Sequence, residues 1–242
     1  MTANKADHSD NNNTLRERVG KSLLENKTAI IASILVVIFI GQVLKFVDQD
    51  LVVLGRSPSF WGIPLALLAI WLISWFKEVD WSDLGLTRPQ SWKKTINAAL
   101  ITMVTVQVIG ILQIALSDSP PNLSSYEERL TPLWLLGWIV ISWTTAGFGE
   151  EVIYRGFFMK QFARLFDDQK NSSWIIGLVL SSILFGLVHF HQGPGGMLGT
   201  GILGLVFGIA YLRSGRNLWV TIIAHGLTGT TSFIMLYLGQ LR

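Results

Sequence analysis

Seven apolar runs, at about residues 28–47, 58–76, 95–117, 132–160, 173–190, 197–212 and 217–239, alternate with short polar connections along this chain. A helix needs roughly 20 apolar residues to cross the hydrocarbon core of a bilayer, and most of the runs reach or approach that length. Backbone groups in lipid must be satisfied within the spanning structure, and the alternating pattern of membrane β-strands is absent, so the runs predict helices and not a barrel. The expected fold is all-α: a polytopic helical membrane protein of about seven spans, bounded by six and eight. Ahead of the first run lies a polar stretch, residues 1–27, far longer than the n-region of a signal peptide; it reads as a tail, and the first run as a retained span.

Composition agrees with this pattern. Half of the 242 residues are hydrophobic, 14% are charged and the mean hydropathy is +0.45, which is too apolar for an ordinary soluble domain. Many of the ten Trp (Trp61, Trp75, Trp81, Trp92, Trp174, Trp219) stand near the ends of apolar runs, where an amphipathic ring favours the headgroup zone. The net charge of +3 comes from basic residues dispersed through loops, so they read as topology signals, and nucleic acid is not an expected partner. Fifteen of the nineteen Lys and Arg fall in the tail, the 77–94 loop, segment 155–172 and the 213–216 turn, while the intervening connections hold Arg56, Arg129 and Arg242, with Lys45 at a span end. This alternation predicts a cytoplasmic N-terminus and an external C-terminus, in the plasma (inner) membrane. The chain has no Cys, which excludes disulfides, thiolate catalysis and Cys-ligated metals.

Ionisable groups inside a span are costly and tend to face an interior cavity. Between residues 132 and 239, those outside plausible loops are Glu150, Glu151, Arg155, His189 and His225, with His191 at a span end. In EEVIYR, Glu151 and Arg155 are four residues apart, the favourable order for a helical ion pair, which reads as structural. Glu150 is rotated about one-third of a turn away and lacks such a partner, so a second cationic or hydrogen-bonding group must come from another helix. His189 and His225, each expected in a later helix, are the suppliers, and Phe185 one turn before His189 would point the same way. At 1.5 Å per residue, Glu150 lies about 15 Å from Lys160 and His225 about 12 Å from Asn217, but His189 about 24 Å from Ser173; its helix would have to start low or tilt for the three to meet. Gly147 and Gly149, just before the Glu pair, favour a kink or local widening. The glycine-rich segment 193–208 suits a flexible lid or close helix contact, with Gly204 and Gly208 as a small-xxx-small pair.

EEVIYR, FGLVH and the later AHG resemble the series E-E-x-x-x-R, F-x-x-x-H and H-x-x-x-Asn/Asp of the intramembrane CAAX prenyl endopeptidase and bacteriocin-processing (Abi) family. WSDLGLTRP (81–89) is similar to a segment that often precedes that domain. The resemblance divides the chain into N-terminal transmembrane helices (28–129) and a CAAX-protease-like domain (130–242). It implies hydrolysis of a peptide bond in the membrane: Glu150 with His189 would activate water, His225 would stabilise the oxyanion, and Glu151 and Arg155 would hold the set in place. No cofactor is expected; the alternative is a zinc ion on Glu150, His189 and His225, since two imidazoles and a carboxylate suit that metal. The expected partners are lipid and a membrane-associated peptide, prenylated or not, at the cytoplasmic leaflet. The sequence departs from the series at Gly229, where the family has Asn or Asp, so one oxyanion donor is missing unless Thr228, Thr230, a backbone amide or water replaces it. That departure sustains a second reading, a weakly active or inactive membrane scaffold or immunity protein. A transporter is a third reading, disfavoured because the charged set has no counterpart in the first half of the chain.

Overall fold

The computed structural model describes residues 26–48, 50–51, 58–77, 81–116 and 131–239; residues 1–25 of the expected tail, and Arg56, Arg129 and Arg242, lie outside the described residues. Each of the seven apolar runs holds one helical element, and no strand occurs among the described residues. Helix α1 (Lys27–Val43) tightens into a 3₁₀ turn at Leu44–Phe46. A similar turn (Pro58–Trp61) leads into α2 (Gly62–Lys77), and α3 spans Trp92–Ala115. Element α4 begins as α-helix (Pro132–Ser142), widens to π-helix (Trp143–Glu150 and Val152–Phe158) and closes as α-helix (Met159–Leu165). Then come α5 (Asn171–Leu187), α6 (Gly193–Arg213) and α7 (Leu218–Tyr237). Side-chain caps fix several starts: Asn26, Ser91, Thr131 and Asn217 each accept a hydrogen bond from a backbone N–H of the first turn, and Pro132 follows its cap directly.

Burial is inverted relative to a soluble protein. Phe39, Ile101 and Leu136 are 66%, 69% and 58% exposed, while Glu151 and Arg155 are enclosed; only a hydrocarbon solvent makes that arrangement favourable. Four helices are long and apolar enough to cross a membrane, Lys27–Phe46, Trp92–Ala115, Phe190–Arg213 and Leu218–Tyr237, and Ser59–Trp75 and Asn171–Leu187 are shorter apolar helices. The protein is an integral membrane helix bundle.

Glycines let the helices approach. On α6, a Cβ at Gly204 would lie 3.3 Å from Ser182 Cα and one at Gly208 would lie 2.2 Å from Leu178 Cδ1, so the glycine-rich segment is a helix packed on α5 and not a lid. On α2, a Cβ at Gly62 would lie 2.5 Å from the Gly41 carbonyl of α1.

The connections gather at two ends. At one, α1, α3, α5 and α7 begin and α4 and α6 finish. The 81–89 segment docks there: Leu218 N–H donates to Gly85 O (2.9 Å), Asn217 Nδ2 to Thr87 O (3.0 Å) and Lys160 Nζ to Asp83 O (2.5 Å). Gly85 has φ +94° against the Arg216 carbonyl, a position only glycine fills without strain. This end carries Lys27, Arg88, Lys93, Lys94, Lys160, Arg164, Lys170, Arg213 and Arg216. At the opposite end Trp134 and Trp138 of α4 meet Phe233 of α7, and Lys45 Nζ of α1 donates to Val188 O just past α5 (2.7 Å). Among the described residues Lys45 is the one basic side chain there.

Candidate active site

The backbone around the glutamate pair is itself unusual. From Trp143 to Phe158, apart from Glu151, α4 is π-helical; such wide turns are rare and concentrate at functional sites. Gly147 and Gly149 lie inside this stretch, so the widening expected there is present. A Cβ at Gly147 would come within 3.3 Å of Gly226 on α7, and one at Gly149 within 2.5 Å of Ile63 Cγ2 on α2. Neighbouring helices therefore close on both flanks of α4 just ahead of Glu150.

Glu151 faces α6 and α7. Its Oε1 accepts a hydrogen bond from Arg155 Nη1 (3.0 Å) and another from His225 Nδ1–H (2.8 Å), and none of its side chain is exposed. Arg155 also donates through Nη2 to the Gly204 carbonyl of α6 (3.0 Å), and its guanidinium lies 4.8 Å from the Phe185 ring and 5.2 Å from Phe207. Phe207 in turn stacks on the His225 imidazole, centroids 4.7 Å apart. A buried ion pair tolerates desolvation only with further hydrogen bonds and close packing, and aromatic faces supply additional attraction to the cation. The pair legible in EEVIYR is thus one edge of a larger cluster that also fixes His225. Because an ionised carboxylate only accepts, the His225 proton sits on Nδ1, and Nε2 is left for other work. That Nε2 stands 3.9 Å from Glu150 Oε2, a separation suited to an intervening water.

Glu150 faces the other way. It lines a cavity of about 420 Å³ between α1, α2, α4 and the end of α5, together with His189, Tyr154 and Phe158. His189 is not inside an apolar helix as expected: α5 stops at Leu187, and His189 occupies the turn before a short 3₁₀ segment, Phe190–Gln192. Phe185 is the one-turn neighbour anticipated for it. His189 Nδ1–H donates to the Phe185 carbonyl (2.7 Å), the two rings meet edge to face at 4.9 Å, and Nε2 is free to act as base or acceptor. The depth mismatch counted along the chain is met by a cavity long enough to reach both residues. His191 is exposed, with its ring 5.8 Å from that of His189.

Gly229 lies one turn beyond His225. A Cβ there would fall 2.0 Å from Ser142 Oγ on α4, so a serine hydroxyl fills the space where a side chain at 229 would begin. Thr228 and Thr230 do not stand in for the missing donor. Their hydroxyls donate to the Ala224 and Gly226 carbonyls of α7 (2.8 and 2.9 Å), and Thr230 also accepts from Trp143 Nε1 (2.9 Å). Ser142, Trp143 and Phe207 contribute and were not anticipated, and Gly204 was expected only to pack; Ser142 and Trp143 sit within three turns of the glutamates, whereas nothing in the sequence singles out Phe207. Among the described residues no three His, Asp or Glu side chains converge as metal ligands, so the geometry lends no support to a zinc ion held by Glu150, His189 and His225.

Residues 132–231 match the family model described as type II CAAX prenyl endopeptidase Rce1-like. No curated protein and no solved structure matches the chain. The matched region starts with the first residue of α4 and takes in both glutamates, Arg155, His189, His225 and Gly229. Over the stretch from α4 into α7 the chain is therefore similar to the type II CAAX prenyl endopeptidase Rce1-like family.

Proposed function

We propose that this protein is an intramembrane endopeptidase that hydrolyses a peptide bond of a membrane-associated substrate. The match of residues 132–231 to the family model supports a CAAX-type membrane protease in general. The observation that carries the finer reading is the placement of Glu150: a carboxylate open to a cavity shared with His189, with the Nε2 of a braced histidine 3.9 Å away.

In this reading Glu150 takes a proton from a water held between it and His189, and the water oxygen attacks the peptide carbonyl. The carbonyl oxygen becomes an oxyanion beside His225. His225 enters as the imidazolium, its Nδ1–H bound to Glu151; its Nε2–H donates a hydrogen bond to that oxyanion, and the ring still holds both protons when the intermediate collapses. The C–N bond then breaks as Glu150 returns its proton to the leaving amine. Glu151 and Arg155 touch no substrate; they position His225. Carboxylate and imidazole supply every proton in this sequence, so hydrolysis is expected to persist in metal-depleted protein. In proteoliposomes, wild type is expected to cleave a membrane-associated peptide, and Glu150→Gln and His189→Ala are each expected to abolish cleavage; unchanged turnover in both variants rejects the assignment.

A further inference from the structure

The exposed part of the cavity wall lies at one end of the bundle. Val37, Ile153 and Phe158 are 1%, 4% and 2% exposed and close the floor. His191 and Gln192 are exposed and form the rim with Lys45 and Ser59, where α1 ends, α2 begins and α5 turns into α6. This is the end opposite the one that gathers nine basic side chains, Lys27 through Arg216, and Asp48 and Asp50 are exposed beside it. The basic end has a separate hollow of about 800 Å³, lined by Lys160, Arg164 and Arg216 among others, and neither Glu150 nor either site histidine reaches it. The excess of Lys and Arg marks the cytoplasmic side of a helical membrane protein.

We infer that the cavity takes its substrate from the non-cytoplasmic side: a peptide segment presented at the outer leaflet or from the space beyond it. The inference rests on the reading of Glu150 as the peptidase carboxylate. The charge pattern along the chain could orient the helices but not say at which end a cavity opens; entry from the cytoplasmic leaflet was what the family resemblance implied. A cytoplasmic C-terminus would have to pass the closed floor at Val37 and Phe158 to reach Glu150.

Because the chain has no Cys, single cysteines report sidedness directly. Gln192→Cys marks the rim and Gln169→Cys the basic end, both at exposed positions; Asp50→Cys and Lys94→Cys repeat the test should either first variant fail to accumulate. In intact cells a membrane-impermeant maleimide is expected to label Gln192→Cys, whereas Gln169→Cys is labelled only after permeabilisation. The reverse pattern overturns the inference, and so does a rim cysteine unreactive until the cells are permeabilised. Peptide hydrolysis is measured separately in the same membranes. Outside labelling with full turnover by Glu150→Gln would remove the peptidase reading and leave the orientation standing; inside labelling with an inactive Glu150→Gln would do the opposite.

Discussion

Two regions meet at consecutive residues of α4. On the α6–α7 side Glu151 sits in a sealed cluster with Arg155, His225, Phe185 and Phe207, none of its surface exposed. On the α1–α2 side Glu150, 16% exposed, opens into a cavity. A step of one residue turns a helical side chain by about 100°, enough to move the second carboxylate out of one environment and into the other. The lesson is that a doubled glutamate is not redundancy. One member is committed to holding a histidine, and the other is the one that the proposed mechanism uses.

The largest effect is expected from breaking the sealed region. Arg155→Ala leaves Glu151 charged and enclosed without its guanidinium, and removing one member of a buried pair costs about 3–5 kcal/mol. Unfolding followed in detergent should show that loss, with activity falling alongside it. A variant as stable as wild type would mean that the cluster is not what holds α4, α6 and α7 together. In the open region the balance reverses. Glu150→Gln keeps the shape and should hardly change stability, yet hydrolysis should drop on the order of 10²- to 10⁴-fold, the usual worth of a general base. The pair of results sharpens the contrast: Glu151→Gln should lose stability and rate together, Glu150→Gln rate alone.

How far this was visible beforehand depends on the kind of signal. The seven helices were legible because apolar length reports directly on a lipid solvent. The Glu151–Arg155 pair was legible because four residues on a helix fix a distance, and the widening of α4 because Gly147 and Gly149 advertise it. The stop of α5 at Leu187 was missed because Val188 and Phe190 continue the apolar pattern, so hydropathy carries no mark of the turn. The breaker was nevertheless present: Gly193 adopts φ +75° and Pro194 opens the next helix. That His225 hydrogen-bonds Glu151 while only approaching Glu150, and that Phe207 stacks on it, depends on which faces α6 and α7 turn toward α4. No local spacing encodes that. The end at which the cavity opens is tertiary information of the same kind.

An intermediate effect should follow from Gly62, where α1 and α2 wall the open region. A side chain there meets the Gly41 carbonyl at 2.5 Å, a backbone atom that cannot swing aside. Gly62→Val should push the two helices apart at a cost of about 1–3 kcal/mol, typical of overpacking. Since the displaced wall lines the cavity proposed to take the substrate and does not touch Glu151, KM is expected to rise more than kcat falls. The opposite split would place the strain on the catalytic groups and blur the distinction between the two regions.

The smallest effect concerns Gly229, on the seam between α7 and the start of the π-helical stretch. Gly229→Asn gains a few tenths of a kcal/mol in helix propensity, but its Cβ would meet Ser142 Oγ, and turning that hydroxyl off its rotamer costs about 0.5–1.5 kcal/mol. Ser142→Ala removes the obstructing oxygen and leaves only the Ser142 Cβ position, 3.2 Å away. The double variant is therefore expected to be more stable than the sum of the two single changes. A double-mutant cycle reads that coupling, on the order of 0.5 kcal/mol or more for residues in contact. Additive behaviour would show that Ser142 does not occupy the space in front of residue 229. Coupling would mean that glycine at 229 and serine at 142 are one packing solution, so that any attempt to install an amide donor beside His225 has to change both.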